Sequence, residues 1–216
     1  YHFRRPVRLV FSREEVFLAT PKRHPLKMEM ETGATRNGKI QALRARIICD
    51  TGAYASYGVA VATRAAVHAT GPYEIENVEV ESLCVYTNNP IAGAMRGFGV
   101  PQIAFAHESQ VDLLARELHL DPLEIRRLNA LRAGSKTGTG QQLMASVGMN
   151  KTLEAIEPHY KSAKSQWKTV GISAPLRRGV GIGSMWYGIG KTGVQNPSSV
   201  RVEMDAQGKV TLLSGA

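Results

Sequence analysis

The apolar positions of this chain change period twice along its length, and those changes divide it into three segments. Up to about residue 92 the pattern is mainly alternating. Val7, Leu9 and Phe11 form a short alternating run around Arg8, broken by Ser12, Arg13, Glu14 and Glu15. Leu26, Met28 and Met30 alternate with Lys27, Glu29 and Glu31, and Leu43, Ala45, Ile47 and Cys49 with Arg44 and Arg46. Successive side chains of a strand point to opposite faces, so each run predicts a half-buried strand. Asn37 and Gly38 lie between the last two runs, and this dipeptide favours the positive dihedrals of a type I′ turn, which predicts a hairpin. Val78 and Val80 against Glu79 and Glu81 predict a further strand ending near Tyr86. The Ala-rich stretch 59–69 before it predicts a short helix closed by Gly71 and Pro72.

From about 100 to 165 the period lengthens to that of a helix. Ile103, Ala106, Val111, Leu114, Ala115 and Leu118 recur on one face after Pro101, which suits a first helical turn. Asp121, Pro122 and Glu124 supply an N-cap, a first helical residue and a capping-box acid for a second helix through about Leu131. After a Gly, Ser and Thr loop from Gly134 to Gly140, residues 151–165 predict a third helix. The last segment turns to strand again. Gly179, Gly181, Gly183, Gly188, Gly190 and Gly193 punctuate an apolar run, and Val200, Val202 and Met204 alternate before a turn at 205–208 and a second hairpin arm. The order is a β-rich segment, a helical segment and a β hairpin, which predicts an α+β fold with divisions at 1–92, 93–165 and 166–216. Apolar runs stand at both ends of the chain, and we expect it to be a fragment of a larger multidomain subunit.

Composition narrows the class. The chain has 216 residues, 43% of them hydrophobic, enough for a sizeable core. No apolar run approaches the roughly 18 residues that span a bilayer, so no membrane association is expected. Cys49 and Cys84 stand far apart and make no Cys-x-x-Cys clip, which favours a reducing, cytoplasmic setting. The six histidines make no zinc-type spacing, and no directly bound metal is expected. The net charge of +9 comes from scattered residues, including Arg4, Arg5, Lys22, Arg23, Arg44, Arg46, Arg126, Arg127, Arg177 and Arg178. These read as a solvated or subunit-facing surface, since a nucleic-acid groove would gather them into one stripe interleaved with aromatics. No nucleic-acid partner is expected.

Candidate chemistry concentrates in one loop, Gly93, Ala94, Met95, Arg96, Gly97, Phe98, Gly99, Val100, Pro101 and Gln102. Its glycines let backbone or ligand come close, Arg96 offers a forked donor for an anion, and Phe98 offers a flat apolar face. The helix start that follows adds free N–H groups. From spacing alone the loop is equally a Gly-rich connection with a solvated arginine, or an anion site on a non-catalytic binding module.

The run Arg96, Gly97, Phe98, Gly99, Pro101 and Gln102, followed by a helix carrying Glu108, resembles the large molybdopterin-binding subunit of the molybdenum hydroxylases, the xanthine dehydrogenase and aldehyde oxidase family. Arg5, Pro6, Val7, Arg13 and Glu14, then Lys22, Arg23, His24 and Pro25, are similar to that family's opening strand and basic stretch. Further similar runs are Asp50 to Tyr54, Gly71 to Tyr73 with Ile75, Asn77 and Val78, and Asp121 to Arg127 with Asn129. The resemblance implies an oxidoreductase that hydroxylates an N-heteroaromatic (xanthine-like) or aldehyde substrate with oxygen from water. Electrons would pass to iron–sulfur clusters and FAD on other domains or subunits of a dimeric parent. It implies that Met95, Arg96 and Gly97 contact the molybdenum-molybdopterin cofactor and that Phe98, Arg64 and Thr192 contact the small-molecule substrate. Lys191 departs from the aromatic residue of the xanthine enzymes. The catalytic glutamate and further pterin loops are expected in the rest of the subunit, so no catalytic residue is assigned here and the chain alone is expected to be inactive. The reading from residues alone keeps a different class open, a non-catalytic anion- or nucleic-acid-binding module on a similar scaffold.

Overall fold

A computed structural model of the protein describes residues 3–167, 179–190 and 197–215. The chain forms two compact units, Tyr1–Trp186 and Tyr187–Ala216. In the first, a seven-residue helix α1, Arg13–Ala19, precedes β1, Leu26–Ala34, and β2, Ile40–Asp50. Helix α2, Gly58–Val67, leads to β3, Asn77–Val85, and three helices follow: α3, Val100–Glu117, α4, Pro122–Asn129, and α5, Met149–Trp167. The second unit carries β4, Val200–Met204, and β5, Val210–Ser214, paired antiparallel. The architecture is α+β. Among the described residues no helix is long and apolar enough to cross a membrane.

The main sheet has β2 at its centre, antiparallel to β1 and parallel to β3. A parallel neighbour cannot be reached by a tight turn, so the chain crosses over through α2. Register follows from the two faces of the strands. On the outer face Arg44 lies between Glu31 and Glu79, and Arg46 between Glu29 and Glu81, with Arg44 Nε 3.0 Å from Glu79 and Arg46 Nε 2.9 Å from Glu81. Slipping either neighbour by one residue would break both rows of charge and turn the apolar face outward. On the inner face Leu43, Ala45 and Ile47 meet Ala65 of α2, Ile103, Val111 and Ala115 of α3, and Ile125 of α4 in one continuous core.

Asn129 joins this sheet to α4. Its side chain is fully buried, donates to the carbonyls of Gly38 and Ile125 at 2.8 Å each, and accepts from the Ile40 N–H at 2.8 Å. One amide thereby ties the start of β2 to the end of α4.

Three expectations change. The run around Val7, Leu9 and Phe11 makes no strand: residues 6–12 are irregular, those three side chains are exposed, and among the described residues no strand pairs with them. The polar residues that interrupt it start α1, where Ser12 and Glu15 form a capping box with reciprocal bonds of 3.2 and 2.7 Å. The hairpin at 35–39 is present, but not as a type I′ turn. Gly38 has φ of +90° while Asn37 is not in the positive region. Gly38 N–H donates to Thr35 at 2.9 Å and Thr35 N–H to Lys39 at 2.9 Å, a three-residue loop closed by a left-handed glycine. The Gly-punctuated run at 179–190 makes no strand either. Residues 179–186 are extended with alternating burial, but Val180 and Ile182 pack on a small cluster of Leu123, Ala130, Leu153 and Tyr160.

Candidate functional site

The Gly-rich loop is held from below by a strap, residues 21–24. Lys22 bridges Ala92 in parallel, and Gly93 N–H donates to the Lys22 carbonyl at 2.9 Å. Arg23 then reaches along the loop: Nη2 donates to the Arg96 carbonyl at 2.8 Å and Nη1 to the Gln102 side chain at 3.3 Å. Gln102 in turn donates to the His24 carbonyl at 3.0 Å. Both ends of the loop are therefore fastened to one strap.

Between those fastenings the backbone is unusual. Gly97, Phe98 and Gly99 have φ of +90°, +52° and +95° in succession. A Cβ at Gly99 would lie 2.5 Å from the Val61 carbonyl oxygen, so the loop touches the backbone of α2, and only glycine fits. Phe98 is no glycine, and its left-handed conformation costs on the order of 1 kcal/mol. The turn is closed by Phe98 N–H to Met95 at 2.8 Å and Val100 N–H to Gly97 at 3.0 Å. It presents the Phe98 ring edge-to-face with Tyr57, centroids 5.9 Å apart at 67°.

Met95 and Arg96 are exposed. Among the described residues, the N–H groups of Met95, Arg96 and Gly97 and the Arg96 guanidinium have no acceptor. Arg64 is half-buried on α2, between the Val61 and Ala65 positions that meet Gly99. Thus Met95, Arg96, Gly97 and Phe98 share one turn, and Arg64 sits on the helix against which that turn packs. Thr192 and Lys191 lie outside the described residues, as do Arg177 and Arg178. No group of three or more His, Cys, Asp or Glu side chains converges as a metal site among the described residues.

Two buried histidines flank this arrangement. Burial pushes the His24 pKa below its ordinary value, against smaller opposing effects from the Gly93 backbone and Asp50. Burial likewise lowers His68, at the end of α2, while its contact with the Arg64 carbonyl at 2.8 Å acts the other way. Asp50 is held low by the Thr87 hydroxyl, the Gly52 N–H and the Asn89 amide.

Behind the loop, α3 carries a polar knot centred on Glu108. Tyr73 donates to its Oε1 at 2.5 Å, Arg126 Nε to its Oε2 at 2.8 Å, and Ser184 N–H to its Oε2 at 2.8 Å. His107 Nδ1 lies 3.3 Å from Oε1. Burial raises the Glu108 pKa, but the His107, Arg126 and Tyr73 contacts outweigh it, so the carboxyl sits below its ordinary value. Arg126 is completely buried and also pairs with Asp112 at 2.8 Å, which corrects its assignment to a solvated basic surface. Leu123, Arg126 and Asn129 repeat at helical spacing on the buried face of α4, so the signal was a charge on an apolar face in need of a partner. Tyr57 and the Arg23 strap carry no comparable signal, because their partners come together only on folding.

Comparison with known proteins places this geometry in a family. Residues 1–130 match the family model of the molybdopterin cofactor-binding domain. The chain is 54% identical over 154 residues to the nicotinate dehydrogenase large molybdopterin subunit of Eubacterium barkeri, covering 71% of this chain and 36% of that protein. It is 37% identical over 212 residues to a probable xanthine dehydrogenase subunit of Bacillus subtilis, covering 98% of this chain and 28% of that protein. Among solved structures, the aldehyde oxidoreductase from Desulfovibrio desulfuricans superposes with a TM-score of 0.80 at 33% identity, covering 89% of this chain and 21% of that one. The chain thus spans little more than a third of these relatives at most.

Proposed function

This chain belongs to the molybdopterin-binding family of the xanthine dehydrogenases and aldehyde oxidoreductases, and we propose that it forms the cofactor-facing loop of a molybdenum hydroxylase acting on an N-heteroaromatic substrate. The observation that carries this reading is the turn at 95–98, which sets N–H donors without an acceptor among the described residues, and the Arg96 guanidinium, beside an aromatic ring.

The donor set fits the cofactor. A molybdopterin is anionic and rich in acceptors, and the turn offers three amides and a guanidinium with no carboxylate bonded to them among the described residues. Met95, Arg96 and Gly97 would hold it through backbone and side-chain donors, as an anion is held by a fixed array of N–H groups. When bound, the cofactor supplies the two-electron chemistry of hydroxylation with oxygen from water. The chain's own residues bind and orient. Phe98 stacks on an aromatic substrate, with its ring fixed by Tyr57. Arg64 offsets negative charge on the substrate as it develops, and the family resemblance assigns a further substrate contact to Thr192, which lies outside the described residues. The nicotinate named for the Eubacterium barkeri relative is a pyridine carboxylate, whose ring and charge match a phenylalanine and an arginine. Aldehydes are the second substrate class, since the Desulfovibrio desulfuricans relative is an aldehyde oxidoreductase.

The parent enzyme passes its electrons to iron–sulfur and flavin centres on other domains or subunits, and works as a dimer. Cys49 and Cys84 are both free thiols, which suits a cytoplasmic setting. The test is Arg96→Ala in the cofactor-loaded parent. We expect turnover to fall by about a hundredfold, the scale of losing one oriented electrostatic contact, with the melting temperature retained. Unchanged turnover would remove Arg96 from the site, and salt-dependent binding to DNA by the parent would favour a nucleic-acid-binding module instead.

A further inference from the structure

The knot at Glu108 joins more than two helices. Its carboxylate takes bonds from Tyr73, which precedes β3, from Arg126 on α4, and from the backbone of Ser184. The last is the informative one. Residues 179–186 run extended along the helices, and among the described residues no β-ladder pairs them. Their even-numbered side chains face inward: Val180 and Ile182 sit on the small apolar cluster, and Trp186 lies against His68, ring centroids 4.3 Å apart. An extended segment without a ladder is positioned by such individual contacts, and the bond from Ser184 to a buried carboxylate is a strong one.

Trp186 meets the fold at a consequential place. His68 caps the C-terminal end of α2, with its N–H on the Arg64 carbonyl at 3.3 Å and its Nδ1 2.8 Å from the same oxygen. The middle of α2, at Val61 and Ala65, is where Gly99 packs. Helix α2 is therefore held by the loop that carries Phe98 at Val61 and Ala65 and by the ring of Trp186 at His68, with the Arg64 carbonyl bonded to His68.

We propose that Glu108 is a positioning residue for the substrate pocket: by latching Ser184 it seats Trp186 on His68 and so sets the last turn of α2, and Arg64 with it, relative to Phe98. This rests on the reading of Arg64 and Phe98 as substrate contacts. On this reading Glu108 acts only through the segment it holds.

The experiment uses the cofactor-loaded parent enzyme and two variants. Ser184→Pro removes the donor N–H and leaves Glu108, Arg126 and Tyr73 intact. Glu108→Gln keeps an acceptor for Ser184 and removes the charge, and should give a smaller effect in the same direction. Amide hydrogen exchange is followed by mass spectrometry at 180–186 and 62–68, and steady-state kinetics use nicotinate and xanthine as probes. In Ser184→Pro, exchange should rise in both segments together, and KM for the probe that is turned over should rise about tenfold, the scale of one lost hydrogen bond to a charged group, with kcat within about twofold. The proposal is overturned if 180–186 stays protected, or if it loosens while 62–68 and KM remain as in the parent. If the parent turns over neither probe, the substrate reading fails, and the exchange result alone still decides whether the latch sets α2.

Discussion

Phe98 carries the clearest conflict between stability and placement. A bulky residue at φ of +52° is tolerated where the surroundings hold it, and such sites cluster where a side chain has to be aimed. Asparagine accepts this conformation readily, so Phe98→Asn should leave folding stability within about 1 kcal/mol, backbone relief offsetting the lost ring contact. Phe98→Val should be worse by about 1–2 kcal/mol, because a β-branched side chain fits the left-handed region badly. Urea unfolding of the two variants tests the order, and aromatic-substrate affinity should fall in both. Gly99 differs in kind: Gly99→Ala combines φ of +95° with a contact at 2.5 Å to Val61 and should cost about 2 kcal/mol or more. At the same scale, His24 and His68 set a pH dependence. Both lie below the ordinary value of 6.5 when folded, so below that pH the unfolded chain takes up protons that the folded chain does not. Stability should be flat above about pH 7 and decline as pH falls from 6.5. The depressed carboxyls of Glu108 and Asp50, whose ordinary values are 4.5 and 3.8, add their losses only at lower pH. Urea midpoints from pH 8 to 5 should show the histidine slope, and His68→Gln should flatten it.

Elements depend on a few buried polar groups, and Asn129 is the sharpest case. Its amide satisfies Ile40, Gly38 and Ile125 at once, so Asn129→Ala strands several buried backbone groups and should lower stability by about 3 kcal/mol. Faster amide exchange at the start of β2 and the end of α4 should accompany that loss; a uniform change across the chain would contradict the local role. Most elements could be read before folding because period reports which side of a backbone is buried. Met28 and Met30, Leu43 to Cys49, Ile103 to Ala115, and the Asp121 N-cap before Pro122 all mark structure that forms, although Glu124 pairs with Arg127 and closes no capping box. Period does not report what a face is buried against. Residues 179–186 alternate as a strand would, yet their neighbours are helices. The run at Val7 to Phe11 alternates and finds no partner strand among the described residues, while the capping pair Ser12 and Glu15 just after it does mark a helix. For the site, the loop from Met95 to Phe98 is visible as clustered glycines around an arginine and an aromatic. Tyr57, the Arg23 clamp and the Glu108 knot are not, because Glu108 meets Tyr73 and Ser184 only once residues 35 and 76 positions apart come together.

For the molecule as a whole, the question is how much of a cofactor site one loop can make. The turn at 95–98 offers its donors on an exposed surface, and an anion held from one side keeps most of its hydration on the other. Affinity then stays modest, since each exposed contact is worth little against water. The curated relatives are far longer, with this chain spanning 36% and 28% of two of them, so further cofactor contacts have ample chain from which to come. Two consequences separate cleanly. The parent subunit, produced with cofactor supply, should carry molybdenum near one equivalent by elemental analysis. The 216-residue chain alone, produced in the same way and gel-filtered, should carry essentially none while keeping its helical circular dichroism. Stoichiometric molybdenum on the isolated chain would mean that the turn at Met95 to Gly97 holds the cofactor by itself. Metal missing from both would sink the proposed function, because the loop's unsatisfied donors would then need a different anion.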